Sequence, residues 1–303
     1  MTIMTDFQRK IIDFLPNIEL RLNEPMAKHT SFRIGGPVAV MAFPKTAEQL
    51  SEILKKSALL DCNLAILGAG TNILAPDEGI EGLVVCLKNF VDTMEQLDAA
   101  HIRVSAGISM ARAASYAANL GLSGLEFAHG IPGSVGGGVY MNAGAYGGEI
   151  CQVCTEVEVM DMSGNTRVLA NAEMDFSYRH SRLEDEGGIV LRATFALTPK
   201  STEDIRAVMQ ELMERRRSSQ PLDLPSAGSA FKRPVGGYAA ALIDQAGLKG
   251  YQVGGAAVSE KHAGFVVNLG GATAEDVKKV LQDVSGKVYA QTGIQLEPEV
   301  RIW

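Results

Sequence analysis

The sequence lacks a surplus of basic residues and lacks any long hydrophobic run. Lys and Arg number 28 against 35 Asp and Glu, and the net charge of −7 argues against a nucleic-acid-binding protein. No stretch reaches the roughly 18 consecutive apolar residues of a transmembrane helix. Asp6, Arg9 and Lys10 interrupt the N-terminal apolar residues, which excludes a signal peptide. We therefore expect no nucleic-acid partner and no membrane insertion.

Cysteine is also scarce, with four in the chain. Only Cys151 and Cys154 lie close together, and a redox or zinc role for such a pair needs a thioredoxin-like helix start or a second pair of ligands. The sequence has neither, because residues 155–162 continue as an alternating strand. We expect a reduced, cytoplasmic protein without a metal site, and we assign no role to the pair.

No internal repeat or low-complexity linker divides the 303 residues. Their hydrophobic content of 46% and charged content of 21% are those of a globular protein. A chain of this length favours two domains, and the change in composition at residues 199–202 is the best boundary.

Glycine, by contrast, is concentrated in residues 121–149, which contain ten of the 32 glycines in the chain. A plain helix is not expected there, because an interior glycine costs roughly 1 kcal/mol relative to alanine. Interleaved apolar residues also argue against a flexible linker. We expect backbone N–H groups of this stretch to wrap a phosphate-bearing ligand. The alternative is a tightly packed core segment rich in turns.

A second glycine loop follows a predicted strand–helix–strand unit over residues 38–67. Gly68 and Gly70 after a strand suggest a Rossmann fold, but the third glycine of that fingerprint would fall at Ile73. Pro76 then comes too soon for a helix. The loop therefore belongs to a different nucleotide-binding design.

Hydrophobic periodicity predicts further elements along the chain. Strands are predicted at 83–87, 102–106, 155–162, 166–170, 189–197 and 264–269. Helices are predicted at 109–120, from Ser201 to the basic run 215–217, at 238–249, and after Thr273. The basic run is either a solvated helix end favoured by the helix dipole or part of an anion site.

Three polar groups stand in otherwise apolar surroundings, namely Arg179, Ser229 and Glu299. Brought together, a guanidinium, a hydroxyl and a carboxylate would supply an acid and stabilise an anion. Taken singly, they are more often an exposed arginine, a turn serine and a surface glutamate. Ser229 also lacks the Gly-x-Ser-x-Gly elbow, which argues against a serine hydrolase.

Eight motifs along nearly the whole chain resemble the UDP-N-acetylenolpyruvoylglucosamine reductase (MurB) family, in its short-loop subclass. They are HTSFRIGGP (29–37), ILGAGTNIL (66–74), GLSGLEFAHGIPGSVGGGVYMNAGAYGGE (121–149), YRHS (178–181), PSAGSAFKRP (225–234), LIDQAGLKG (242–250), KHAGFVVN (261–268) and LEPEVRI (296–302). The motifs follow the family's order, and together they are very specific.

The resemblance implies an α+β fold. It predicts an N-terminal segment over residues 1–33 and an FAD-binding domain over 34–199. This domain would be of the PCMH type, as in vanillyl-alcohol oxidase-like flavoenzymes, with two α/β subdomains. A smaller α/β substrate-binding domain over 200–303 would carry a C-terminal catalytic strand.

The resemblance also implies the reaction. NADPH would reduce a non-covalently bound FAD, since no histidine lies in the 66–74 loop for covalent attachment. The reduced flavin would convert UDP-N-acetylglucosamine enolpyruvate to UDP-N-acetylmuramate, for peptidoglycan synthesis and hence cell-wall biogenesis, cell shape and division. Ser229 would protonate the substrate's α-carbon, and Arg179 and Glu299 would polarise its carboxylate. We expect these small-molecule substrates, and a monomer.

By the same resemblance two sets of binding residues are predicted. The cofactor set is Leu67, Gly68, Ala69, Gly70, Thr71, Asn72, Ile131, Pro132, Gly133, Ser134, Gly137, Gly138, Asn142, Ala143 and Gly144. The substrate set is Tyr146, Arg217, Lys232, Lys249, His262 and Arg301. The chain departs from many relatives at Arg233, where they have asparagine, and at Ser218 and Ser219, where some have a lysine.

Two alternatives stay open on the sequence. One is a flavin oxidase with the same type of FAD domain, which the motifs at 225–234 and 296–302 speak against. The other is a nucleotide-binding regulatory module without activity, which the presence of Arg179, Ser229 and Glu299 speaks against.

Overall fold

The computed structural model describes residues 4–88, 90–91 and 93–303. The α-helices in this part of the chain are α1 (Asp6–Phe14), α2 (Ala47–Leu59), α3 (Met110–Asn119), α4 (Val135–Tyr140), α5 (Arg182–Glu186), α6 (Thr202–Ser219), α7 (Ala239–Gln245) and α8 (Ala274–Thr292). The first strands are β1 (Glu19–Pro25), β2 (Pro37–Phe43), β3 (Leu64–Leu67), β4 (Ile73–Leu74), β5 (Ile80–Cys86), β6 (Met94–Gln96), β7 (His101–Ser105), β8 (Leu122–Ser123), β9 (Gly144–Ala145) and β10 (Gly148–Glu149). The later strands are β11 (Cys154–Met160), β12 (Thr166–Ala170), β13 (Ile189–Ala196), β14 (Thr198–Pro199), β15 (Ser226–Ser229), β16 (Gln252–Val253), β17 (Ala256–Val258), β18 (Phe265–Asn268) and β19 (Arg301–Ile302).

The chain forms two compact units, each built from more than one segment. The first unit comprises Met1–Leu22, Val40–Ala69 and Gly82–Glu214, and the second comprises Asn23–Ala39, Gly70–Glu81 and Arg215–Trp303. These units differ from the domain boundaries expected from the sequence. The predicted boundary at 199–202 falls before α6, whereas the units divide within that helix. Segments 23–39 and 70–81 belong with the C-terminal residues, because they pack in the same core.

The first unit has two cores, and the first of them lies under a four-stranded sheet of order β1-β2-β5-β3. Strand β5 is inserted between the two strands of the predicted strand–helix–strand unit and runs parallel to β3. Helix α2 buries Leu50, Ile53 and Leu54 against this sheet, as the sequence period predicts.

The second core of the first unit lies under a five-stranded antiparallel sheet of order β12-β11-β13-β7-β6. The predicted hairpin of β11 and β12 is present, and Gly164 takes a φ of +81° in its turn. Helices α3 and α4 contribute to this core, and α6 adds Ile205 and Met209. Four alanines of α3 are buried, and their small side chains let the helix backbone lie close to the other residues of this core.

Helix α4 lies inside the glycine-rich stretch, and this corrects the expectation that no helix would form there. Its sequence is VGGGVY, and Ser134 caps its N-terminus by accepting a hydrogen bond from Gly137 N at 3.3 Å. A Cβ at Gly136 would lie 2.8 Å from Ala106 Cβ, and one at Gly138 would lie 2.8 Å from Met110 Sδ. The low helix propensity of glycine is therefore outweighed by close packing that a side chain would prevent.

The second unit is a four-stranded antiparallel sheet of order β15-β18-β17-β16 with helices α7 and α8. Helix α8 buries the predicted stripe of Val277, Val280 and Leu281. Helix α7 ends at Gln245, four residues before its predicted end, because Gly247 takes a left-handed φ of +69° that terminates the helix.

Residues from the N-terminal third of the sequence complete this second unit. Both carboxylate oxygens of Asp77 lie 2.8 Å from Ala274 N and so cap helix α8. The buried Asn268 Nδ2 donates to Phe32 O at 3.0 Å. Strand β19 pairs in parallel with β4, with Arg301 opposite Ile73. These long-range bonds explain why the unit is discontinuous in sequence.

The two neighbouring cysteines lie where β11 begins. Burial raises the pKa of the Cys154 thiol to about 12 and also raises the pKa of Cys151. Both are therefore poor nucleophiles and poor metal ligands at neutral pH. No helix in the described part of the chain is long and apolar enough to cross a membrane.

Two helical glycines give a matched test of the packing. Gly286 is an exposed residue inside α8, where a Cβ would meet no described atom within 4 Å. We expect Gly286→Ala to raise the free energy of unfolding by roughly 0.5–1 kcal/mol, through helix propensity alone. Gly136→Ala in α4 should lower it by roughly 1–3 kcal/mol through overpacking against Ala106. Urea unfolding of both variants measures the difference, and a common sign for the two would contradict this account.

Candidate active site

The start of helix α4 belongs to the stretch predicted to wrap a phosphate with its backbone N–H groups. Val135 N donates to Ile108 O at 2.7 Å, and Gly136 N donates to Ala106 O at 2.9 Å. Gly138 is buried, and its N–H donates to Ser134 O at 2.8 Å. These three amides therefore already donate within the protein. The hydrogen bonds fit the packed-core alternative, and cofactor binding by Gly138 stays a prediction.

Gly137 differs from its two glycine neighbours. It is exposed, and the nearest atom that a Cβ would meet is Ser134 Oγ at 3.4 Å. Gly137 N also donates within the protein, to Ser134 Oγ, but the Cα of Gly137 lies at the surface of the first unit with no side chain to cover it. Pro132, which precedes the helix, is exposed as well, whereas Ile131 packs against the core. Gly133 takes a φ of +148°, which favours glycine.

The other predicted cofactor loop reaches the same place within the first unit. A Cβ on Gly68 would lie 2.9 Å from Ser134 Oγ, so the two loops meet at a glycine. Leu67 is buried at the end of β3, and its carbonyl accepts a hydrogen bond from Leu87 N at 2.8 Å. Ala69 is exposed beside it.

A tight hairpin of β9 and β10 follows the glycine-rich helix. Glu149 pairs with Gly144, and the two-residue loop consists of Tyr146 and Gly147 with φ values of +54° and +87°. This is the pattern of a type I′ turn, which rarely has tyrosine at its first position. The predicted substrate residue Tyr146 thus stands 42% exposed at the tip of the hairpin.

Arg179 occupies the third position of a four-residue turn. Ser177 and His180 exchange two backbone hydrogen bonds of 3.2 Å. Arg179 takes a φ of +58° there, a conformation that favours glycine and costs an arginine roughly 1–3 kcal/mol. Its Nη2 donates to Gly144 O at 3.3 Å, and its Cζ lies 5.1 Å from the centre of the Tyr178 ring. Such strain at a polar residue is typical of functional sites.

The side chain of the predicted cofactor residue Asn142 is hydrogen-bonded to other groups of the protein. It is 1% exposed and makes hydrogen bonds to Glu149 and Ser177 and from Cys151 N. Its neighbour Ala143 packs on the hydrophobic core. The sequence argument missed this arrangement. The sequence signal was weak: an asparagine in a glycine-rich stretch, a residue type that tolerates positive φ better than most.

In the second unit, the serine loop and the C-terminal segment lie side by side. Strand β15 places Ser229 opposite Phe265 of β18, and the serine is exposed. Glu299 N then donates to Ala230 O at 2.9 Å, and Phe231 forms a bridge with Pro298. The structure therefore places the backbone segments that carry Ser229 and Glu299, two of the three predicted catalytic residues, side by side. Arg179 belongs to the first unit.

The later part of the 67–72 loop also contacts the C-terminal segment. Asn72 Nδ2 donates to Glu299 O at 3.1 Å, and Asn72 O accepts from Arg301 N at 3.0 Å. Gly70 takes a φ of +65°, and a Cβ at this position would overlap the His29 carbonyl oxygen, so the position requires glycine. Thr71, which lies between Gly70 and Asn72 in the sequence, is half-buried. This predicted cofactor loop is thereby tied directly to the residue that bears the Glu299 carboxylate.

His262 has a defined tautomer. Its Nδ1 accepts a hydrogen bond from Gly264 N at 3.1 Å, so the proton of the neutral ring is on Nε2. Burial lowers the pKa of His262, and the nearby charge of Lys249 lowers it further. The ring is therefore neutral at pH 7 and stands edge-on to Phe265, 5.0 Å between ring centres. The structure thus brings His262 next to the strand that pairs with Ser229.

The other predicted substrate residues are cations of the second unit. Lys249 Nζ donates to Asp244 Oδ2 at 2.9 Å, and Lys232 Nζ lies 3.7 Å from Glu297 Oε2. Arg217 is exposed at the end of α6, and its carbonyl accepts from Lys261 Nζ at 2.6 Å. Arg301 is half-buried in β19. Exposed ion pairs of this kind are weak, so a ligand anion could replace the acidic partner.

Two family models match the chain. Residues 38–170 match an FAD binding domain, and residues 220–303 match the C-terminal domain of UDP-N-acetylenolpyruvoylglucosamine reductase. The first match confirms the predicted FAD-binding domain. The second covers the motifs at 225–234 and 296–302, so the flavin oxidase alternative is wrong.

Curated relatives and a solved structure agree with these matches. The chain is 45% identical to the UDP-N-acetylenolpyruvoylglucosamine reductase of Agathobacter rectalis, over 98% of both chains. It is also 45% identical to that of Caldanaerobacter subterraneus subsp. tengcongensis, over 97% of this chain and 96% of the relative. The crystal structure of the reductase from Thermus caldophilus superposes with a TM-score of 0.78 at 35% identity, over 95% of this chain and 99% of the other. This superposition confirms the predicted α+β fold.

The open face of Gly137 allows a test that separates ligand binding from folding. Gly137→Val should keep the far-ultraviolet circular dichroism and lower FAD affinity by roughly 5–150-fold, because an overpacking cost of roughly 1–3 kcal/mol would arise against the bound ligand. Gly136→Val, one residue earlier, should disturb the fold through Ala106. Flavin absorbance per mole of protein, read beside the dichroism, checks both. If the Gly137 variant loses its dichroism together with its flavin, the residue supports packing rather than the cofactor.

Proposed function

The chain belongs to the UDP-N-acetylenolpyruvoylglucosamine reductase family, and we propose that Arg179, Ser229 and Glu299 carry out the substrate half of its reaction. The reaction is the NADPH-dependent reduction of UDP-N-acetylglucosamine enolpyruvate to UDP-N-acetylmuramate, a step of peptidoglycan synthesis. FAD, when bound, supplies the hydride-transfer chemistry between NADPH and the enolpyruvyl group.

The residues present fit FAD in two respects. Gly68 and Ser134 meet at a distance that excludes a side chain, and Gly137 offers exposed backbone beside them. Bare backbone suits the close approach of a pyrophosphate. We therefore assign the cofactor to residues 67–72 and to Ile131–Ser134 with Gly137, through main-chain groups and the Ser134 hydroxyl. No role in binding is assigned to the side chain of Asn142.

The proton donor is Ser229 in this proposal. The observation that carries it is the 2.9 Å hydrogen bond from Glu299 N to Ala230 O, which sets the glutamate beside the residue that follows Ser229. Reduction at the substrate's β-carbon leaves a carbanion at the α-carbon that is conjugated with the carboxylate. This carbanion is basic enough to take the hydroxyl proton of a serine. The C–H bond forms as the O–H bond breaks, and solvent returns a proton to the serine alkoxide.

Charge development on the substrate carboxylate explains the other two residues. A guanidinium held in a fixed conformation stabilises that charge without reorganising. The turn at 177–180 fixes the Arg179 backbone, and Gly144 O orients its guanidinium. Glu299 in its protonated form would hydrogen-bond the same carboxylate, and in its ionised form would orient a donor. Both roles act in the transition state, so they affect kcat more than KM.

The substrate's diphosphate requires donors that the second unit supplies. His262 presents a neutral Nε2–H because its Nδ1 is occupied by Gly264 N. Lys232, Lys249, Arg217 and Arg301 would add positive charge, and Tyr146 would contact the sugar with its exposed ring. Arg233 stacks on Tyr238, with 4.6 Å from Cζ to the ring centre, and so stands as a further cation where many relatives have asparagine.

We also propose that the protein works in the cytoplasm as a monomer. Its four free cysteines suit a reducing compartment. Both substrates, a nucleotide sugar and NADPH, are small molecules, so no macromolecular partner is required.

Ser229→Ala should separate the two half-reactions. NADPH should bleach the flavin of this variant at close to the normal rate, because the serine acts only later. Reoxidation of the flavin by the enolpyruvyl substrate should slow by roughly 10²–10⁴-fold, the usual contribution of a positioned general acid. Anaerobic stopped-flow absorbance follows each half alone.

Ser226→Ala is the matched control for this experiment. It is a serine in the same strand, three residues earlier, whose backbone carbonyl rather than its hydroxyl binds Ser31. It should leave both half-reactions near normal. Equal slowing of flavin reduction and reoxidation in Ser229→Ala would show that the hydroxyl is a structural part of the pocket.

Glu299→Gln should lower kcat while KM for the enolpyruvyl substrate stays within a few-fold of normal. The backbone bonds that hold residue 299 to Ala230 and Asn72 remain in this variant. Only the carboxylate is lost, and its action is confined to the transition state. Steady-state kinetics measure both constants. A rise in KM at constant kcat would move Glu299 from chemistry to binding.

A further inference from the structure

The turn that carries Arg179 is held at both of its ends, by the last residue of helix α4 and by Asn142 just beyond it. On the N-terminal side, Ser177 O accepts a hydrogen bond of 3.0 Å from Asn142 Nδ2. On the C-terminal side, the fully buried Ser181 Oγ donates to Tyr140 O at 2.8 Å. A strained arginine turn persists only where its surroundings determine it, and these two bonds supply that determination.

Asn142 does more than hold the turn. Its second amide hydrogen goes to Glu149 Oε2 at 3.1 Å, and its Oδ1 accepts from Cys151 N at 3.0 Å. Its φ is +41°, which asparagine tolerates better than most residues. An aspartate could accept from Cys151 but could donate to neither partner. The position therefore requires two donors, one acceptor and a left-handed backbone, a combination that asparagine meets.

These bonds close a ring around Arg179. Glu149 pairs with Gly144 in the β9–β10 hairpin, and Gly144 O accepts from Arg179 Nη2 at 3.3 Å. Asn142 thus contacts the base of the turn that sets the Arg179 backbone and also the hairpin strand that orients its guanidinium. All members of the ring belong to the first unit.

We propose that Asn142 is a positioning residue for Arg179 rather than a ligand of the cofactor. The proposal rests on the role assigned to Arg179 above. Asn142 is buried and its hydrogen-bonding groups are used by the protein, so it acts on the substrate only through the arginine that it holds. A displacement of about 1 Å at a catalytic group can cost on the order of 10²-fold in rate.

The test uses Asn142→Gly, which removes the side chain without adding strain at a positive φ. Flavin reoxidation by UDP-N-acetylglucosamine enolpyruvate should slow by roughly 10–100-fold. Flavin reduction by NADPH should stay within about twofold. Asn171→Ala is the matched control, because Asn171 Nδ2 also clamps two carbonyls, Cys151 O at 2.8 Å and Cys154 O at 2.7 Å, without a bond to the turn. It should leave both half-reactions within about twofold.

The decisive measurement repeats Asn142→Gly in the Arg179→Ala background. If Asn142 acts through Arg179, the second change should slow reoxidation by less than about twofold, because residues that act as one unit are not additive. Equal slowing in both backgrounds would overturn the proposal, as would slow reoxidation in Asn171→Ala. If Arg179→Ala alone reoxidises normally, it is the role of Arg179 that fails.

A second variant covers loss of folding. Asn142→Asp keeps the size of the side chain and the acceptor for Cys151 N, and loses the amide donors to Glu149 and Ser177. It is measured in the same two backgrounds if Asn142→Gly does not retain FAD. Loss of folding in both variants would overturn the proposal, since Asn142 would then support the unit as a whole.

Discussion

The ligand-facing features of the first unit depend on how closely helix α4 approaches its neighbours. Gly136 and Gly138 lie where a Cβ would meet Ala106 and Met110 at 2.8 Å. The N–H groups of Val135 and Gly136, at the start of the helix, donate to the carbonyls of Ile108 and Ala106. This contact fixes Ser134 at one end of the helix, where Gly68 meets it, and Asn142 beyond the other end. Gly136 and Gly138 therefore allow close packing of helix α4. The backbone of Gly137 is exposed because this helix places it at the surface.

Left-handed backbone is the second constraint, and it includes the proposed catalytic arginine and two residues of the glycine-rich stretch. Asn142, Tyr146 and Arg179 all have positive φ without being glycine. Each costs on the order of 1–3 kcal/mol, which the surrounding hydrogen bonds must offset. Local rules are broken most often where function requires a particular geometry. Asn142 and Arg179 are linked through Glu149 and Gly144, so one set of contacts offsets the strain at both positions.

The sequence predicts those parts of the fold that are set by local pattern. Helices α2, α3, α6 and α8 lie where the apolar period places them, and the motif resemblance identifies the FAD domain and the reductase family. The end of α7 was misplaced because a left-handed glycine is invisible to periodicity. Helix α4 was missed because its glycines are selected by contacts with Ala106 and Met110, which no local pattern encodes. The assembly of the second unit was missed for the same reason, since Asp77 caps a helix that begins at Ala274.

The discontinuity of the second unit has a consequence during synthesis. Ribosomes add roughly 5–20 residues per second, so residues 215–303 emerge over about 4–18 s after the first unit is complete in sequence. Throughout that interval, segments 23–39 and 70–81 are present without the sheet and helix that cover Phe32, Ile34 and Leu74. Strand β4 stays without its partner strand longest, because that partner, β19, consists of residues 301–302. The nascent chain therefore cannot complete the core around these apolar residues until the strand that follows Glu299 has been made.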